Sequence, residues 1–175
     1  ITQSGAMRLS QIKRGGDPLD SLAGVTFRHL AMLAQIKTSD DDVWNSLRNS
    51  GHLSGESNSA LQNRLERMRN WIGSIHFPED ARINIQKVID ENSRAQLSSE
   101  QLSFLEKLAV ELGDSEWSDE AIGNTIRMTS ANSGVSGREA YIALYWAMLG
   151  RSHGPKASAL IFEIGKSAAI ELFGS

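Results

Sequence analysis

Most residues of this chain that could do chemistry lie in its last third, where basic side chains gather at glycine-marked turns. Arg138 opens one helical stretch and Tyr141 follows a turn later; the run GRSHGPK then brings Arg151, His153 and Lys156 together. Gly154-Pro155 leaves backbone amides open near a helix start, a place that attracts phosphate. Between residues 100 and 120 the sign reverses, with Glu100, Glu106, Glu111, Asp114, Glu116, Asp119 and Glu120 against only Lys107. On an amphipathic helix such a run is a solvated face rather than a pair of catalytic carboxylates. Farther back, Arg64, Arg67 and Arg69 oppose only Glu66. The sum is a net charge of -3, which counts against a general nucleic-acid binder. The segregation instead suits a specific docking surface, which a polyanion touches on one side and is repelled from on another.

No catalytic constellation accompanies these charges. The four histidines, His29, His52, His76 and His153, form no ligand pair at i, i+4 and no H-E-x-x-H, so no zinc site is expected. There is no Walker loop, no dinucleotide fingerprint after a strand and no G-x-S-x-G elbow. With no cysteine, disulfides and thiolate metal sites are excluded, in agreement with a reducing compartment. The expectation is a chain with no catalytic residue, no metal and no cofactor of its own.

The elements that must position these residues are helical. With 40% hydrophobic and 22% charged residues the chain reads as globular, and no apolar run approaches the ~20 residues of a membrane helix. Residues 1–24, with Gly15, Gly16, Pro18 and Gly24, read as a tag or linker. From Val25 the period becomes helical, with Phe27, Leu30, Ala31, Leu33, Ala34 and Ile36 on one buried face. Ser39 caps a second helix whose Asp40, Asp41 and Asp42 sit at its positive end. A loop over 50–58 leads to a helix from about Ser59 to Ser74, its stripe formed by Leu61, Leu65, Met68, Trp71 and Ile72. Pro78 is expected to begin another helix carrying Ile83, Ile85, Val88 and Ile89. Ser98 or Ser99 caps the next, which Gly113 ends, and Ser118 caps one holding Ile122, Ile126 and Met128. Ser136, with Glu139 three residues on, has capping-box spacing. The helix it opens is apolar almost all round from Ala140 to Leu149, so it should be buried, and Gly150 stops it. Pro155 falls at a first-turn position of the helix that follows, and a last helix follows Gly165. Period-two alternation is absent. The expected fold is all-α, an irregular array of eight or nine helices dividing near residues 94–98 into bundles over 25–95 and 96–175.

The closing run REAYIALYWAMLGRSHGPKASALIFEIGKSAAIELF resembles the last helices of class I aminoacyl-tRNA synthetases of the glutamate and lysine type. In these, a buried helix ends in a leucine-glycine pair before a polar turn, Gly-Pro and a closing amphipathic pair. GRSHGPKA, together with TFRHLAMLAQI at 26–36, is more similar to the lysyl than to the glutamyl enzyme. The resemblance implies an α-helix cage that holds the anticodon loop of tRNA(Lys), joined to an N-terminal catalytic domain of the same chain. That domain would use ATP and carry the HIGH and KMSKS signatures, neither of which occurs here. Activity is therefore not expected from this part alone, and a cytoplasmic setting without DNA or membrane partners is implied. The role asks for cations to pair phosphates and flat side chains to stack on bases. Arg151, His153 and Lys156 meet the first two demands. Arg138 stands in a first turn where the helix dipole disfavours a cation, which hints at work elsewhere. Tyr141 could stack or pack. Arg28, on a helix near the start of the family's anticodon-binding region, is a better candidate than its neighbour His29. Trp117 is expected to staple a helix start, and Trp44, Trp71, Trp146 and Tyr145 to lie in the core. A glutamyl-type enzyme, or a helical protein-interaction module favoured by the negative charge, stays open at this level.

Overall fold

The structure, a computed structural model, describes residues 24–57 and 59–175. The tag or linker expected over 1–24 lies, but for its last residue, outside them. Among the described residues there are nine α-helices and no strand, as the sequence periods require. They form two compact units, which divide between Phe77 and Pro78.

In the first unit, α1 (Phe27–Ile36), α2 (Asp40–Asn49) and α3 (Ser59–Ile72) pack with α1 against both others. Leu30, Leu33, Val43, Leu47, Leu61 and Leu65 close its core, each at most 1% exposed. Ser39 caps α2 by accepting the Asp42 amide at 3.1 Å. Arg69 of α3 locks the three helices together. It donates from Nε to Asp40 Oδ1 at 2.8 Å and from Nη1 to the Ala34 and Lys37 carbonyls at 3.2 and 3.3 Å. One guanidinium thus satisfies orphan carbonyls at the end of α1 and meets an acid in the first turn of α2.

The second unit departs from expectation at its start. Pro78 opens only a 3₁₀ turn, Glu79–Ala81, and no helix follows until α4 (Glu91–Ala95), capped by Asp90. Ile83, Ile85, Val88 and Ile89 are β-branched and poor in helices, and this stretch finds its bonds elsewhere. The Gln86 amide donates to the Met148 carbonyl at 2.9 Å. Ile83 and Ile89 are buried, whereas Val88 is exposed.

Thereafter α5 (Ser99–Asp114), α6 (Asp119–Ser133), α7 (Gly137–Leu149), α8 (Ala157–Ile164) and α9 (Lys166–Phe173) complete the unit. Gly113 stays inside α5, which ends at Ser115 instead. Met128 is exposed on α6. The α7 helix is the hub, packing on α4, α5, α6, α8 and α9. Its buried positions explain why: Ala140, Ala143 and Ala147 admit neighbours closely, while Leu144 and Met148 fill the space between them.

Candidate nucleic-acid interface

Both ends of α7 carry residues singled out in the sequence. At its N-terminus the capping box is complete. Ser136 Oγ accepts the Glu139 amide at 3.3 Å, and the Glu139 carboxylate accepts the Ser136 amide at 3.1 Å. Hydrogen bonding to the carboxylate, by the Ser136 hydroxyl first and the Ser136 amide second, holds the Glu139 carboxyl below its ordinary range. Arg138 stands exposed in this first turn, and Tyr141 is half-buried one turn on.

The C-terminus of α7 is built around two glycines. Gly150 adopts φ 64°, and a Cβ there would lie 2.6 Å from Gln86 Nε2. That amide bonds Ser93 Oγ at 3.1 Å and the Trp146 carbonyl at 3.4 Å, so residues 86–93 brace the helix end. Gly154 lies against α7 itself, where a Cβ would come 2.5 Å from Leu149 Cδ1 and 3.2 Å from the Tyr145 ring. The Tyr145 hydroxyl donates to the Pro155 carbonyl at 2.7 Å. Burial first, and the nearby Tyr141 second, push this phenol above its ordinary pKa, which keeps it a neutral donor. Pro155 precedes the cap residue Lys156 rather than standing in the first turn, since α8 begins at Ala157.

The cations of this turn are engaged by the protein. Arg151 donates from Nε to the His153 carbonyl at 3.1 Å and from Nη1 to the Asp80 carbonyl. Lys156 Nζ lies 2.7 Å from Asp119 Oδ2, in the first turn of α6. His153 is exposed. The structure therefore gathers Arg151, His153 and Lys156 into one braced knuckle, with Arg138 about 18 Å away along the axis of α7. Arg28 is exposed on α1, in the first unit.

Tryptophans divide similarly. Trp44 is buried, and Trp117 is half-buried, donating from Nε1 to the Phe162 carbonyl at 3.3 Å. Trp71 was expected in the core but is 39% exposed. It stands one residue before the end of α3, with the rings of Phe27 and Phe77 against the indole.

A family model for the anticodon binding domain matches residues 30–171, nearly the whole described chain. The chain belongs to the anticodon-binding domain family. An anticodon-binding domain is what the closing helices resembled. Similar proteins include three named as lysine–tRNA ligases. The one from Picrophilus torridus is 24% identical over 151 residues, covering 86% of this chain and 29% of the relative. Those from Methanopyrus kandleri and Archaeoglobus fulgidus are each 28% identical, covering 81% of this chain and 27% and 28% of the relative. The domain thus spans under a third of the curated relatives it matches. Among its described residues no helix is long and apolar enough to cross a membrane, and no group of three or more His, Asp or Glu could hold a metal ion.

Proposed function

We propose that this anticodon-binding domain is the C-terminal part of a class I lysine–tRNA ligase and docks the anticodon loop of tRNA(Lys). An N-terminal catalytic domain of the same chain, acting in the cytoplasm, would join lysine to the tRNA with ATP. The observation that carries this reading is the family match across residues 30–171, with lysine–tRNA ligases as the relatives. On this reading Arg28, Arg138, Tyr141, Arg151, His153 and Lys156 contact the RNA. The spread of these positions supports a loop as ligand, because a single nucleotide does not reach from Arg138 to the Arg151 knuckle. Arg151 and Lys156 would act as oriented groups, held in place by carbonyls and Asp119 before the RNA arrives.

Titrating labelled anticodon stem–loops tests the reading. The lysine-specific stem–loop should bind, and its affinity should fall steeply between about 50 and 200 mM salt as phosphate contacts release counterions. Absence of binding at low salt, or equal affinity for an unrelated tRNA's stem–loop, would sink the proposal.

A further inference from the structure

The exposed indole of Trp71 stands at the end of a second basic surface. On α3, Arg64, Arg67 and Trp71 follow one another at spacings of three and four and so share a face. Asn63 and Asn70, both exposed, flank Arg67 on that helix. Neither arginine has an acid three or four residues away on its helix: those positions hold Ala60, Leu61 and Met68 for Arg64, and Asn63, Asn70 and Trp71 for Arg67. The two cations therefore crowd each other, and burial followed by Arg67 holds the Arg64 guanidinium below its ordinary pKa. Arg67 is exposed and, among the described residues, makes no ion pair. Arg69, by contrast, is turned into the packing of α1 and α2. The indole is held but not covered. Its ring centroid is 6.0 Å from that of Phe27, tilted at 45°, and 4.8 Å from that of Phe77, edge-on at 81°. A protein whose net charge is -3 here places two arginines and an exposed aromatic ring on one helix face. Cation complementarity selects a polyanion, and the aromatic end selects one that carries flat rings.

We infer that this face of α3 is a nucleotide subsite for unpaired RNA. One base stacks on Trp71, the adjoining phosphate lies on Arg67 and Arg64, and the amides of Asn70 and Asn63 are within reach of base edges. The inference rests on the anticodon-loop reading for the identity of the RNA.

The experiment uses the 175-residue chain with two probes, the lysine anticodon stem–loop and a single-stranded oligouridine. Trp71→Ala should weaken stem–loop binding about tenfold or more, the usual effect of losing one stacked base. Trp71→Phe should stay within about threefold of wild type, since a ring remains, but should lose the quenching of indole emission on RNA addition. Arg67→Gln changes an exposed side chain and leaves folding intact; it should lower the salt slope by about one. These results together establish the subsite. If wild type binds the stem–loop while Trp71→Ala and Arg67→Gln leave affinity, quenching and slope unchanged, the subsite is overturned and the anticodon reading survives. In that event the open indole belongs to a protein contact. If wild type rejects the stem–loop but binds oligouridine in a Trp71-dependent way, the anticodon reading falls and the subsite stands. Binding of neither probe at low salt overturns both.

Discussion

The knuckle at the end of α7 and the outer face of α3 are both basic, but their cations are held in opposite ways. In the knuckle, Arg151 spends its donors on carbonyls of His153 and Asp80, and Lys156 faces Asp119 at 2.7 Å. On α3, Arg67 is exposed beside Arg64, and no acid stands three or four residues from either on the helix. In the first region the cations are held by carbonyls and a carboxylate; in the second, Arg64 and Arg67 are close enough to repel each other. The lesson is that a cation's place in a turn says little about its freedom. A braced arginine can still touch phosphate, but it does so in one orientation, whereas two crowded cations gain most when an anion arrives.

The largest effect should come from breaking the brace. Gly154→Val places side-chain atoms where Leu149 Cδ1 and the Tyr145 ring already lie 2.5 and 3.2 Å from an ideal Cβ. Overpacking of this kind costs about 1–3 kcal/mol, so the urea midpoint should fall with the slope unchanged. A change of side chain at Asn63 or Asn70, both exposed on α3, should move it by no more than about 0.5 kcal/mol. Equal effects in the two regions would erase the contrast.

Arg151→Ala comes next. It removes charged donors from two carbonyls, a loss of about 1.5 kcal/mol, the lower end of the range for hydrogen bonds to charged groups because the side chain is half-exposed. RNA affinity, measured where both proteins are folded, sharpens the comparison. A further loss there assigns Arg151 an RNA contact, and unchanged affinity confines it to bracing. Tyr145→Phe should cost about 1 kcal/mol through the Pro155 carbonyl it leaves unpaired. Lys156→Ala should cost no more than about 0.5 kcal/mol, because its partnership with Asp119 is largely solvated. A larger loss at Lys156 than at Tyr145 would mean that charge rather than packing holds the knuckle.

What could be read in advance follows the same division. Helix starts were legible because their rules are local: Ser39, Ser98, Ser118 and Ser136 each accept an amide three residues on. The left-handed stop at Gly150 and the burial of α7 were legible for the same reason. Partners distant in the chain were not. Asp80 and Asp119, which engage Arg151 and Lys156, lie 71 and 37 residues away from them. The stretch from Arg82 to Asp90 has apolar spacing compatible with a helix, yet its Gln86 amide goes to Met148, so tertiary pairing overrode the pattern. Trp71 sits on the same stripe as Leu61 and Leu65 but in the last turn of α3, where Phe27 and Phe77 leave part of the indole exposed, and spacing alone carries no information about where cover ends.

The smallest effect concerns the other end of α7, where Arg138 and the capping box share one turn. The Glu139 carboxyl is held below its ordinary value by the Ser136 bonds, a lowering that Glu100 opposes in part. A carboxylate with a depressed folded pKa adds stability that is fully present above its unfolded pKa and is lost as pH falls through the folded one. Glu139→Gln keeps the box, since glutamine serves at the same position, but it cannot titrate. The melting temperatures of the two proteins should therefore differ at neutral pH and converge as pH falls through and below the ordinary carboxylate range. Carboxylates other than Glu100, which Glu139 feels directly, contribute equally to both proteins and cancel in the difference. A gap that stays constant with pH would show that Glu139 acts through shape rather than charge.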